Sequence, residues 1–146
     1  MIPRLIIIML ITVAATIQSH AQRSTLYTSD GNLSSCLINY VYQDSKGYVW
    51  IATEYGLNRF DGIHFTTYKN DPEDATSLKG NYVRTMHEDS EGHFRIGCIN
   101  GLMEYDRARE AFHDIPMMTG DDRVTPHVTS IRQLSNGEIW IGTAGY

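Results

Sequence analysis

A spacing of 45 residues constrains this chain more than any other feature. Gly47, Gly92 and Gly137 stand 45 apart, and so do Trp50, Arg95 and Trp140. The match runs through whole segments: residues 41–53 (VYQDSKGYVWIAT) align with 86–98 (MHEDSEGHFRIGC) and with 131–143 (IRQLSNGEIWIGT). Downstream, Gly56-Leu57-Asn58-Arg59-Phe60-Asp61 matches Gly101-Leu102-Met103-Glu104-Tyr105-Asp106. A fixed period of this size means a stack of similar units, each burying its faces against its neighbours.

Each unit reads as short strands, because apolar residues alternate over stretches too brief for helices and Gly, Asp, Asn and Ser punctuate them. Strands are expected near 38–43, 48–53, 57–61 and 64–68, then near 83–88, 93–98, 102–106 and 111–115, and in a third unit near 128–133 and 138–143. A two-residue insertion precedes Phe112 relative to Phe65. The Asp44-Ser45-Lys46-Gly47 step supplies a hairpin turn in which glycine takes a positive φ. Four strands in about 45 residues is the size of a β-propeller blade, whereas helical solenoids need a 3.6-residue periodicity that is missing.

The expected fold is therefore all-β: an incomplete β-propeller of two four-stranded blades and the first half of a third, preceded by a signal helix. Blade 1 is placed at 36–79, blade 2 at 80–125 and the half blade at 126–146. A lead-in at 22–35 offers a candidate ring-closing strand around Leu26 and Tyr27. Because a propeller needs about 4 to 8 blades, the chain reads as part of a longer protein. Val49, Ile51, Phe94, Ile96, Ile139 and Ile141 are the expected inter-blade core, with Trp50 and Trp140 on the opposite, also covered face. Arg95 replaces tryptophan in the middle unit, and the sequence offers no reason for it.

The N-terminus addresses the compartment. Met1 to Arg4 form a short basic start, Leu5 to Ile17 an apolar run, and Ser19-His20-Ala21 a small-residue cleavage pattern. This predicts a signal peptide over 1–21, with an uncleaved anchor as the alternative. The residue directly after the cut is Gln22 and not cysteine, which speaks against a lipoprotein. A periplasmic or extracellular location follows, and the two cysteines, Cys36 and Cys98, enter an oxidising compartment. They read as two small buried thiols, a bridge between them being the alternative. The formal net charge of −5, without Lys/Arg clusters, argues against nucleic acid as a partner.

Catalytic and metal motifs are not indicated. No histidine pairs with another at ligand spacing, and the run from His87 to Glu91 lacks the second histidine of a zinc-protease helix. Asp44 and Asp89 lack the alternating ligands of a calcium loop. No cofactor, metal site or catalytic residue is assigned, and the chain is expected not to be an enzyme. Candidate ligand-binding residues are Tyr40, Tyr55, Asn58, Arg59, Asn81, Tyr82 and Asn100. They fall at strand ends or loops, where propeller ligands bind, and aromatic faces with amide and guanidinium donors suit sugars.

The segments Gly47-Tyr48-Val49-Trp50-Ile51-Ala52-Thr53, Gly56 to Gly62 and Phe65-Thr66-Thr67-Tyr68 carry a resemblance, which Glu138 to Thr143 repeats. They resemble the two-component regulator propeller repeat of periplasmic sensor regions in bacterial hybrid two-component systems. The resemblance implies an extracytoplasmic sensor of two propellers, a β-sandwich, one membrane helix, a histidine kinase, a receiver and a DNA-binding output. It also implies oligosaccharide or other small-solute ligands, a kinase and further blades elsewhere in an inner-membrane parent, and a homodimer at full length. A secreted propeller hydrolase or lyase, and a non-catalytic adhesion or scaffold propeller, are the alternative readings.

Overall fold

The computed structural model describes residues 24–28, 30 and 33–145. The expected signal segment and its cut lie outside them. All regular structure among the described residues is strand. The first repeat forms one antiparallel sheet in the order β1 (Ile38–Gln43), β2 (Val49–Thr53), β3 (Gly56–Phe60), β4 (Phe65–Tyr68). The second forms another from β5 (Val83–Glu88), β6 (Phe94–Cys98), β7 (Gly101–Asp106) and β8 (Ala111–Ile115). A two-stranded hairpin of β9 (Met117–Thr119) and β10 (Asp122–Val124) follows, then the pair β11 (His127–Gln133) and β12 (Ile139–Ala144). The repeat units are thus two four-stranded blades of the same strand order and the first pair of a third. The hairpin β9–β10 is an addition to the expected order; its two-residue loop, Gly120-Asp121, places Gly120 at φ +61°.

The first strands of the three repeats are neighbours, β1 against β5 and β5 against β11. Each contains a bulge at the same point, between Ile38 and Tyr40, Val83 and Thr85, and Val128 and Ser130. The repeat is therefore preserved down to one irregular residue, at Asn39, Arg84 and Thr129. Bulges redirect side chains and favour functional rims.

Strand alternation decides which residues face which blade. Trp50 and Ala52 are fully buried between blades 1 and 2, with the Trp50 ring 4.9 Å from Phe94 and 5.0 Å from Tyr105. Such aromatic pairs add about 0.5–1.5 kcal/mol each beyond burial alone. Phe94 and Ile96 complete that interface, as expected. Val49 and Ile51 correct the expectation: they lie on the face of blade 1 opposite Trp50 and are only half-buried. Ile139 and Ile141 are likewise half-buried, against Leu102, Val128 and Ile131. Trp140 occupies the register of Trp50 on the far face of β12 and is 61% exposed, which corrects the expectation of a covered ring.

The insertion before Phe112 is absorbed in the β7–β8 turn, where Glu110 adopts φ +52°. That turn clamps the blades together. Arg107 reaches Asp44 at 3.2 Å and Glu88 at 3.1 Å, and Glu110 takes Arg59 at 2.8 Å. In the lead-in, no residue among 24–28, 30 and 33–35 is in a strand. Tyr27 packs on Phe60 and Phe65 instead, at ring distances of 5.3 and 5.2 Å. Both cysteines are free thiols; Cys98 is buried as expected, but Cys36 is exposed, since it precedes the first strand rather than sitting within a sheet.

Candidate functional site

A groove runs along the inner strands of all three repeats. One cavity of about 460 Å³ is lined by Asn39 and Tyr40 of β1, Arg84, Thr85 and His87 of β5, and Thr129 to Gln133 of β11. A second, of about 290 Å³, adjoins it through the shared residues Arg84 and Thr129 and adds Tyr82, Ile99, His127 and Ala144. Their sizes fall in or near the range of small-molecule sites. The bulge residues Asn39, Arg84 and Thr129 all line the groove, so the irregularity repeated in each blade shapes its wall.

Polar groups of several kinds meet there. The Asn39 amide donates to Val83 O at 2.8 Å and ties the first two blades together. Thr129 Oγ1 donates to Gly142 O at 3.1 Å. The Arg84 guanidinium lies 5.8 Å from the centre of the Tyr82 ring. His87 lines the wall with Nε2 buried and without a hydrogen-bond partner. Burial is the leading influence on His87 and holds its pKa below the ordinary histidine value, so the ring is neutral at neutral pH.

The seven sequence-chosen residues divide. Tyr40 and Tyr82 line the groove, one in each cavity. Tyr55 is exposed at the β2–β3 turn, where its N–H donates to Thr53 Oγ1 at 3.0 Å, and it lines neither cavity. Asn58 is fully buried; its side chain accepts from Ser34 N and Thr67 Oγ1 and donates to Ser34 Oγ, which fixes the lead-in on β3. Arg59 is held between blades by Glu110 and the Tyr105 hydroxyl, with its guanidinium 5.0 Å from the Tyr48 ring centre. Asn81 Oδ1 accepts from Asn70 N at 2.7 Å, and Asn100 donates to Lys79 O at 3.2 Å. Those two brace the loop between blades.

Sequence reasoning missed Asn39, Arg84, Thr129 and Arg132. A signal for them exists within the chain itself. Positions 44 and 89 are both Asp, and 47, 92 and 137 are all Gly, whereas the groove positions read Asn39, Arg84 and Thr129, and those of His87 and Arg132 correspond to Tyr42 of blade 1, which packs on the core instead. Where units of one architecture disagree in chemistry, the fold is not dictating the residue. Among the described residues, no group of three or more His, Cys, Asp or Glu side chains is placed to hold a metal ion.

Serial four-stranded blades with matching bulges on their inner strands define a segment of a β-propeller. The two-component regulator propeller family model matches residues 32–55 and 124–145. Over 49 residues the chain is 47% identical to histidine kinase P4 of Formosa agariphila, a match covering 34% of this chain and 4% of that protein. Among solved structures, the extracellular domain of a hybrid two component system from B. thetaiotaomicron aligns with TM-score 0.68 and 28% identity, over 82% of this chain and 17% of that one. The extracellular domain of a one component system from the same organism aligns with TM-score 0.64 and 27% identity, over 80% and 16%. The chain therefore spans a small part of each relative's length.

Proposed function

We propose that this chain is a ligand-sensing segment of an extracytoplasmic propeller, and that its inner-strand groove holds an oligosaccharide. The observation carrying the reading is the placement of Tyr40 and Tyr82 in two adjoining cavities among hydroxyl, amide and guanidinium groups. Sugar rings offer apolar faces to aromatic rings and hydroxyls to such polar groups. The similarity to extracellular domains of two-component and one-component systems supports the compartment and the sensor role.

Binding without turnover is part of the proposal. Glycoside hydrolysis generally employs two carboxyl groups flanking the bond, and neither cavity has an Asp or Glu among its lining residues. In the full-length protein, the segment works with further blades, as a homodimer, and passes the binding signal to a histidine kinase. The match to histidine kinase P4 supports that last element.

Calorimetric titration of the chain with a panel of oligosaccharides tests the reading. A saccharide that binds wild type, and binds Tyr40→Ala and Tyr82→Ala about tenfold more weakly, corresponds to losing about 1.4 kcal/mol of stacking at each ring. Affinity for no saccharide, or affinity untouched by both substitutions, sinks it.

A further inference from the structure

Arginines in this chain are almost all matched to carboxylates. Arg59 pairs with Glu110, Arg95 with Asp89, Arg107 with Asp44 and Glu88, Arg109 with Asp106, and Arg123 with Asp114. Among the described arginines the exceptions are Arg84 and Arg132, which have no carboxylate within salt-bridge distance. Both stand on inner strands, both are exposed, and both line the larger cavity. His127, also exposed, lines the smaller one beside Arg84.

One unpaired surface arginine means little. Two in the wall of one concavity, with no Asp or Glu in either lining, make a positive patch in a chain whose formal net charge is −5. A cleft lined by one sign of charge focuses its field and concentrates ligands of the opposite sign. Guanidinium forks match the planar oxygens of a carboxylate, and bind sulfate oxygens by the same charge-assisted hydrogen bonds. The arginines come from neighbouring blades, so one ligand in the cavity has access to both.

We infer that the inner-strand groove selects an anionic saccharide, one bearing carboxylate or sulfate groups, and that Arg84 and Arg132 read its charge. The inference rests on the oligosaccharide reading above and narrows its ligand class. Tyr40 and Tyr82 supply the ring faces, while the two arginines separate acidic from neutral sugars.

The test is calorimetric titration of the chain with trigalacturonate, a sulfated galactotriose and neutral galactotriose, at low and at raised salt, with sodium sulfate as the anion alone. At least one charged trisaccharide is expected to bind about tenfold tighter than galactotriose at low salt, and which one does so distinguishes carboxylate from sulfate. Raised salt narrows the gap, because exposed charges are screened. Arg84→Gln and Arg132→Gln each weaken the charged probe about three- to tenfold more than they weaken galactotriose. Arg109→Gln, whose partner Asp106 lies outside both cavities, leaves every affinity unchanged. Thermal melts of each variant verify the fold. Charged and neutral probes binding equally, or both weakened alike by the substitutions, would overturn the charge assignment while keeping the saccharide reading. Sulfate binding through Arg84 and Arg132 with no saccharide bound would overturn the saccharide reading while keeping an anion site. No binding by any probe overturns both.

Discussion

Asp44 Oδ2 accepts the indole N–H of Trp50 at 2.9 Å, six residues along the chain and across the β1–β2 hairpin. The same oxygen takes Arg107 of blade 2 at 3.2 Å, while Oδ1 accepts Lys46 N and Tyr48 N, each at 3.0 Å. One buried carboxylate thus closes a turn, orients the central tryptophan and joins two blades. In the second repeat Asp89 holds its own turn through Glu91 N and His93 N, and its other oxygen takes Arg95. The exchange of tryptophan for arginine at position 95 keeps a donor aimed at the same acceptor. The third repeat has Leu134 there, and Trp140 is left exposed with Glu138 at 3.5 Å.

Asp44→Ala strands the Trp50 N–H, two turn amides and one end of Arg107. A loss of about 3 kcal/mol is expected, since hydrogen bonds to a charged group contribute about 1.5–3 kcal/mol and the orphaned donors add a desolvation cost. Urea denaturation followed by tryptophan fluorescence measures it. A midpoint within error of wild type sinks the account.

Gly97 lies where blade 2 packs against Val128 of blade 3. A Cβ there would stand 2.6 Å from Val128 Cγ1 and 2.7 Å from Thr85 Cγ2. The matching residue in blade 1 is Ala52. Gly97→Ala is expected to cost about 1–3 kcal/mol through overpacking. Combining it with Val128→Ala should recover part of that loss, and a double-mutant cycle reads the coupling. Strictly additive effects would mean the contact is not the cause.

Blade number and strand positions were legible because a 45-residue register repeats glycines and apolar alternation, both of which act locally. Which face of each strand is covered was not legible, since Trp50 and Trp140 share a register but only Trp50 has a described sheet against it. The β9–β10 hairpin escaped because it falls between repeats, although Gly120-Asp121 is a turn pair. In the groove, Tyr40 and Tyr82 were visible as rim aromatics. Asn58 looked the same in sequence, yet β3 turns it inward onto Ser34. The differing residue types at equivalent repeat positions mark Arg84 and Arg132 as free to vary, but their lack of a carboxylate partner is a property of three-dimensional arrangement and was not legible.

The Asp89–Arg95 pair sets a pH dependence. Burial by itself raises the Asp89 carboxyl, but the Arg95 hydrogen bond and the amides of His93 and Glu91 override it and hold the pKa below the ordinary value. A depressed folded-state pKa gives stability that is present above the unfolded value, about 3.9, and lost as pH falls through the folded one. Arg95→Met removes that stabilisation, so its stability should fall less steeply than wild type below about pH 4. At neutral pH the variant is weaker by about 2–3 kcal/mol, while Arg95→Trp, which keeps a donor for Asp89, loses less. Urea midpoints across the acid range decide it, and parallel curves for wild type and Arg95→Met would refute the assignment.

The two thiols should separate cleanly in reactivity. Cys98 is fully buried on β6, and burial pushes its pKa up to about 12, with Lys79 opposing weakly. A buried thiol that stays protonated offers neither access nor thiolate, whereas Cys36 lies exposed ahead of β1. Iodoacetamide at neutral pH is therefore expected to label Cys36 in the folded chain and to reach Cys98 only after denaturant is added, as peptide mass spectrometry can follow. Because Cys98 ends β6, in register with Val83 and Gly101, and belongs to the buried cluster that Trp50 and Ala52 share with blade 2, its labelling rate reports opening of blade 2 against blade 1. Asp44→Ala, which loosens that interface, should speed Cys98 labelling without changing that of Cys36. Equal labelling of both thiols in the native chain would show that blades 1 and 2 are not closed on each other.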